Sequence, residues 1–369
     1  MSAEGRQPSD PFELTRQNAA AYLRQRPEYA AANQSTTDNA VCPPSGKKTS
    51  ARSEHLNCRE LGGGVSNTVI LVEAPGERFV IKQALPQLRV KDEWLVDRGR
   101  IFRERDALAD CAKLLPRGWV PEVLWSDEPN YVFAMRAAEE PSEFWKNRLL
   151  EGRIEAEWAR RAGVALGLTI RASWRSEFFE RKYGDQTAFG QLRTDPYYRT
   201  IARRNPDIAV YVEEWLAVTE SRRLALTHGD WSPKNMLVTP SGMVFIDYEC
   251  AHFGDPCFDS AFAINHFLLK GFRRPDLAEG YLGLARVFFT WTLGVLPSEA
   301  LREFEAATAR HLGFLLLARV DGKSPVEYLT DEEVRDRLRQ AAKTLIVERA
   351  ERLERCFEVA LAAARAGLA

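Results

Sequence analysis

A His-Gly-Asp turn at residues 228–230 follows the apolar run Leu224–Thr227. Four residues later come Asn235 and a second apolar run, Met236–Val238. An aspartate delivered by one buried strand and an amide delivered just before the next suit phosphoryl transfer. That reaction asks for a carboxylate to orient an attacking hydroxyl and take its proton, and for hard oxygen ligands to magnesium. On this reading Asp230 is the base and Asn235 offers its amide oxygen to the metal. A third run, Val244–Asp247, ends in an aspartate placed to hold Mg2+ between phosphates, with Tyr248 and Glu249 behind it. Glu249 binds a second ion or a ligand water, or is a solvated loop carboxylate.

A second group of residues lies far upstream. Leu61-Gly62-Gly63-Gly64-Val65-Ser66-Asn67-Thr68 joins two strand-like runs, and its glycines would let backbone amides approach phosphates closely. Glycine-rich hairpins are common, so this turn says little alone. Its companion is Phe79-Val80-Ile81-Lys82, where a lysine follows an apolar triplet, an unusual setting for a surface residue.

Together these segments resemble the aminoglycoside phosphotransferase and choline kinase superfamily, whose fold is protein-kinase-like. The resemblance is carried by His228-Gly229-Asp230 with Asn235, by Asp247-x-Glu249 and by the run Gly254-Asp255-Pro256-Cys257-Phe258-Asp259. It implies that ATP and Mg2+ are used. Gly62, Gly63, Gly64, Ser66 and Asn67 would cover the phosphates, and Lys82 would bind the α/β-phosphates. Glu104 would fix Lys82, with Asp106 as the other candidate and a solvated helix carboxylate as the plainer reading of Glu104. The backbone around Met135, at the end of the Tyr131–Met135 run, would meet the adenine. Asp255 and Asp259 would brace the loops rather than touch substrate. Lys82-Gln83-Ala84-Leu85-Pro86, with Leu88-Arg89-Val90 and Trp94, is more specifically similar to methylthioribose kinase. That likeness is partial: Asn235 stands where that family carries Ser, and Arg310-His311 where it carries two adjacent arginines.

The elements that must position these residues follow from pattern. Residues 10–26 read as an amphipathic helix ending before Pro27, and 31–53 as a loop insert. Period-two runs at Asn57–Leu61, Thr68–Glu73, Arg78–Gln83, Glu122–Ser126 and Tyr131–Met135 predict strands, with a helix near Arg98–Leu114 between them. After Arg136 helical spacing dominates, at 154–173, from Pro206 to about Glu220, and from Ser298 as cap to Gly322. A last helix, Asp331 to Ala364, opens on a Thr330/Glu333 capping box. The expected fold is α+β and bilobal. A small antiparallel-sheet lobe (1–136) binds the nucleotide, and a larger helical lobe (137–369) carries the catalytic loop and the acceptor site.

The acceptor side is less marked. Arg319 and Asp321 line its pocket, or are a helix C-terminal arginine and a turn aspartate. Trp231 forms a wall or packs. Lys plus Arg is 51 against 52 Asp plus Glu, so no basic field points to nucleic acid. No apolar run is long enough for a membrane span, no signal pattern opens the chain, and the six scattered cysteines form no CxxC pair. The expectation is a cytoplasmic enzyme with ATP and a small-molecule hydroxyl acceptor as partners: an aminoglycoside, sugar or amino alcohol, or alternatively methylthioribose. A protein kinase would need a long activation segment, which the early Asp255-Pro256 leaves no room for. A nucleotide-binding pseudokinase or regulatory module would have lost one of Lys82, Asp230, Asn235 or Asp247, and all are present.

Overall fold

The computed structural model describes residues 12–27, 56–62, 66–89 and 96–366. The insert at 31–53, Gly63, Gly64 and Trp94 lie outside them. The described residues divide into two compact units, one within Met1–Arg105 and Glu122–Ala137, the other Asp106–Pro121 with Ala138–Ala369.

In the first unit the run Phe79-Val80-Ile81-Lys82 is strand β3 (Glu77–Ala84), and its alternation decides the unit's architecture. It lies in an antiparallel sheet with β1 (Asn57–Glu60), β2 (Asn67–Ala74), β4 (Val123–Asp127) and β5 (Val132–Arg136), in the order β1-β2-β3-β5-β4. Ile81 pairs with Ile70 on one side and Ala134 on the other. Residues two apart share a face, so Ile70, Val72, Phe79, Ile81, Val132 and Ala134 form one apolar layer. Leu14, Ala19, Tyr22 and Leu23 cover it. Each buried Val, Leu, Ile or Phe among them contributes roughly 1.5–3 kcal/mol by leaving water. Gln83 faces the same layer and satisfies itself locally: its Oε1 accepts from the Leu14 amide and its Nε2 donates to the Phe12 and Asn130 carbonyls. Lys82, one residue earlier, faces the opposite side.

The N-terminal helix is shorter than its pattern predicts, Ala19–Arg24 rather than 10–26. Asn18 Oδ1 accepts from the Thr15 amide and Thr15 Oγ1 from the Asn18 amide, so side chains compete with the helical ladder there.

The second unit is built on the helix Cys257–Arg273, buried from Cys257 to Phe272, with Asp259, Asn265, His266 and Lys270 among its buried residues. Ala156–Ser173, Ala209–Ser221, Ala278–Leu293, Ser298–Asp321, Glu332–Val347 and Leu353–Arg365 are the other long helices. Two small antiparallel sheets carry the loops of interest. Strand β7 (Ala225–Thr227) pairs with β10 (His252–Gly254), and β8 (Met236–Thr239) lies between β6 (Glu143–Phe144) and β9 (Gly242–Phe245). The expected final helix is broken in two at Arg349, which takes a left-handed φ of 52°. Asp331, not Thr330, caps the first piece, its Oδ1 accepting from the Glu333 and Val334 amides. Ser298 is the first helical residue after Pro297 rather than a side-chain cap. Among the described residues no helix is long and apolar enough to cross a membrane.

Candidate active site

The His-Gly-Asp turn leaves β7 at Thr227. Gly229 sits at φ +76°, and a Cβ there would come within 2.7 Å of the Cys250 Cβ and 2.8 Å of its carbonyl oxygen. Only glycine meets both conditions. Asp259, in the first turn of the central helix, accepts from the His228 amide at 2.6 Å and the Gly229 amide at 2.8 Å. That is the bracing role the family likeness implies. His228 accepts from the Asp230 amide on Nδ1 (3.1 Å) and faces the Ile246 carbonyl with Nε2 (3.1 Å), so its ring is neutral with the proton on Nε2. Burial pushes its pKa down to about 4, although the Asp230 and Asp247 charges oppose the shift.

The Asp230 carboxylate is buried yet charged. The Arg193 guanidinium meets its Oδ2 at 2.8 Å and the Lys234 ammonium meets the same oxygen at 2.8 Å. Burial alone would raise its pKa, but these two cations overcome it and hold the carboxyl well below the usual carboxylate range. Ser232 Oγ donates to Oδ1 at 3.3 Å. Such an acid is a weak base. It is suited to accepting a hydrogen bond from a hydroxyl and receiving its proton late, when the attacking oxygen has become acidic.

Arg193 also donates through Nε to the Gly229 carbonyl at 2.7 Å, so one side chain fixes both the turn and its carboxylate. It comes from a wide, π-type turn, Gly190–Arg199, a winding that is rare and concentrated at functional sites. Sequence reading missed it, because nothing local to residues 190–199 points to a loop nearly forty residues downstream. Lys234 was within reach of inference: it stands four residues after Asp230 inside the motif.

Asn235 donates through Nδ2 to the Asp230 carbonyl at 3.0 Å, which leaves its Oδ1 as the acceptor. Asp247 follows β9 in the left-handed region, φ 71°. That conformation costs on the order of 1–2 kcal/mol in a residue other than glycine and is found where the surrounding structure enforces it. It also ends the strand at Phe245, two residues before the sequence pattern. Asp247 lies within electrostatic reach of His228 and Lys234. Glu249 is buried rather than solvated, and its charge reaches Arg193. An acid and an amide, both hard oxygen donors, fit magnesium, which keeps several waters and takes substrate phosphates as its other ligands.

In the first unit Lys82 and Glu104 form a buried ion pair, Nζ to Oε1 2.8 Å and to Oε2 2.7 Å. Glu104 is fully buried in the helix Arg100–Leu114, so it is not a solvated helix carboxylate. Arg100 of that helix donates to the Ser66 and Leu85 carbonyls and ties down the end of the glycine turn. Ser66 and Asn67 are buried there, and among the described residues no atom lies within 4 Å of a Cβ built on Gly62. Met135 lies in β5 opposite Val80 and Val123, two residues before this unit ends at Ala137.

Two acceptor-side expectations change. Trp231 is 1% exposed, with its ring stacked on Phe245 at 4.8 Å and edge-on to His228. No face is left open, so it is a packing residue and not a pocket wall. Asp321 uses both oxygens on neighbours, accepting from Asn205 at 3.2 Å and Arg339 at 2.9 Å. It is a tie at the end of the Ser298–Asp321 helix. Arg319 donates to the Tyr197 hydroxyl at 2.8 Å and to the Ser324 carbonyl.

The chain is 25% identical over 266 residues to methylthioribose kinase 2 of rice, covering 64% of this chain and 62% of that one. It is 27% identical over 252 residues to methylthioribose kinase of Escherichia coli, covering 60% and 59%. The matched stretch thus spans about three-fifths of these relatives' length. The crystal structure of a choline/ethanolamine kinase family protein from Mesorhizobium loti superposes with a TM-score of 0.50 at 20% identity, over 95% of this chain and 98% of that one. It establishes the protein-kinase-like fold. The profile of the phosphotransferase enzyme family, APH, matches residues 57–293, which include the Lys82–Glu104 pair and the whole Asp230 loop, and the chain belongs to that family.

Proposed function

We propose that this chain is an ATP- and Mg2+-dependent small-molecule kinase that moves the γ-phosphoryl group to a hydroxyl of a low-molecular-weight acceptor. The observation that carries the reading is the charged, buried Asp230 carboxylate, held by Arg193 and Lys234 on a loop that also orients Asn235. Asp230 accepts the acceptor hydroxyl and takes its proton at or after transfer. Lys82, fixed by Glu104, binds the α/β-phosphates, with Gly62–Asn67 over them and the backbone near Met135 at the adenine. Asn235 and Asp247 hold Mg2+, and Glu249 stands behind them as a further oxygen ligand or as a charge partner of Arg193. The metal, when bound, supplies charge neutralisation on the phosphates. The methylthioribose kinases among the relatives support this reaction class. Methylthioribose itself has less support, since His311 is buried against Tyr198, Trp215 and Asp255 and Arg310 lies over Trp215.

The test is a thermal-shift and ATP-consumption screen with Mg-ATP and small hydroxylated acceptors. Stabilisation by Mg-ATP with turnover of one acceptor, lost in Asp230→Asn, is the expected result. A chain indifferent to Mg-ATP ends the proposal.

A further inference from the structure

Lys270 is the most anomalous ionisable group outside the catalytic loop. It is 1% exposed, in the central helix, and no carboxylate lies within ion-pair distance among the described residues. Its one hydrogen bond goes to the His266 carbonyl at 3.1 Å, and its ammonium lies 5.5 Å from the centre of the Tyr328 ring. A buried, unpaired ammonium is costly, and lysines are almost never fully buried without a partner. Burial, with Lys146 and Arg319 close by, drags its pKa down to about 7.

The neighbours deepen the excess. Lys146 is bonded to Glu327, so the nearest carboxylate is already shared. Arg319 points one side of its guanidinium at Tyr197 and Ser324, while its Nε is buried without a partner. The Tyr328 hydroxyl is also buried without a partner. Among the described residues the cations and unpaired donors here outnumber the one acid, Glu327, which is the composition of an anion site.

The cluster is connected to the catalytic loop. Asp259, Phe262, His266 and Lys270 follow one another at helical spacing along one face of the central helix. Asp259 holds the His-Gly-Asp turn, and His266 lies within electrostatic reach of Asp230 and Lys234 and also of Lys270 and Arg319. Lys270 stands about 6 Å further along the axis than His266. The Tyr197 ring bridges the same gap, with the Arg193 and Arg319 guanidinium carbons each 5.7 Å from its centre.

We infer that the acceptor carries an acidic group, a carboxylate or a phosphate, which binds at Lys270 with Arg319 and Lys146 while its hydroxyl lies at Asp230. The inference rests on the kinase reading for the hydroxyl but not for the anion site. A cationic aminoglycoside or amino alcohol would meet repulsion here, and a neutral sugar would leave Lys270 unpaired.

Two arms separate the claims. In the first, inorganic phosphate is titrated at constant ionic strength and melting temperature is read. Phosphate should stabilise the wild type and Lys82→Met, and leave Lys270→Met unmoved. Equal stabilisation of wild type and Lys270→Met overturns the anion site. In the second, Mg-ATP consumption is measured with short hydroxy acids and sugar monophosphates beside their neutral alcohol and amine counterparts. Only acids should turn over, the carboxylates or the phosphates naming the group. Lys270→Met and Arg319→Gln should each raise acceptor KM more than tenfold with the KM for ATP unchanged. Arg319→Gln carries the test if Lys270→Met fails to fold. Turnover of a neutral or cationic acceptor, indifferent to both substitutions, overturns the proposal. A wild type that binds phosphate at Lys270 but ignores Mg-ATP upholds the anion site and ends the kinase reading instead.

Discussion

The Arg193 guanidinium and the Asp230 carboxylate meet at 2.8 Å with both side chains buried, and the same arginine holds the carbonyl of the residue before that aspartate. The Asp230 carboxylate is therefore positioned from a segment that the His-Gly-Asp motif does not contain. Arg193→Met leaves a buried carboxylate with Lys234 alone, and breaking a buried pair costs about 3–5 kcal/mol. Turnover should fall on the order of 100-fold through misplacement of the carboxylate. A purely structural loss would not move the pH profile. Here the acid limb of kcat/KM should shift upward, because the charge that holds the Asp230 pKa below the usual range has gone. Arg193→Lys should restore part of that shift. A pH–rate series on the three proteins checks it, and an unmoved acid limb counts against Arg193 as a positioning residue.

Lys82 and Glu104 are both buried, so removing one strands the other. Lys82→Met and Glu104→Gln should each lower the melting temperature and sharply reduce the stabilisation by Mg-ATP. The double variant Lys82→Met/Glu104→Met should regain stability relative to Lys82→Met without regaining the nucleotide response, since apolar replacement of both partners removes the unpaired charge. A double variant that still responds to Mg-ATP would argue that this pair does not bind phosphates.

Trp231 is buried and stacked on Phe245, so its substitution should act through the core. Trp231→Ala should cost roughly 3–5 kcal/mol, and Trp231→Phe less. Acceptor KM in Trp231→Phe should stay at the wild-type value. A KM change without a stability change would return Trp231 to the acceptor pocket.

The strands of the first unit were legible because short apolar runs such as Val69–Val72 and Phe79–Ile81 are bounded by turn residues. Phe79, Ile81 and Gln83 face one layer and Lys82 the other, and the pattern carries that directly. The pairing of Asp230 with Asn235 was legible because a short loop fixes their spacing. The long central helix was not foreseen: Cys257–Arg273 is buried nearly throughout, and its polar residues Asp259, His266 and Lys270 face the interior instead of marking a solvent side. Arg193 was hidden for another reason. Its partner lies 36 residues away at the Gly229 carbonyl, and a contact of that kind leaves no local pattern. Asp321 and Trp231 illustrate the converse. Their types suit a binding site, but Arg339 and Asn205 claim the one and Phe245 the other.

His228 gives the fold a specific acid sensitivity. Its ring is buried and neutral, with Nδ1 accepting from the Asp230 amide and Nε2 on the Ile246 carbonyl. Burial lowers its folded pKa to about 4 from an ordinary 6.5. The unfolded chain therefore takes up this proton first as pH falls. The stabilisation is complete above pH 6.5 and is lost progressively down to about pH 4, a total loss on the order of 3 kcal/mol. Protonation would also put a hydrogen on Nδ1 facing the Asp230 amide, so the turn that carries the carboxylate should loosen over the same interval. His228→Asn, which cannot titrate, should be less stable than wild type at pH 7 and should show a flatter fall in melting temperature between pH 6.5 and 4. Parallel curves for the two proteins would mean that the acid sensitivity resides elsewhere, in groups such as Asp255, whose pKa is held down to about 2 against burial by His311 and Arg222 and which would act only at lower pH.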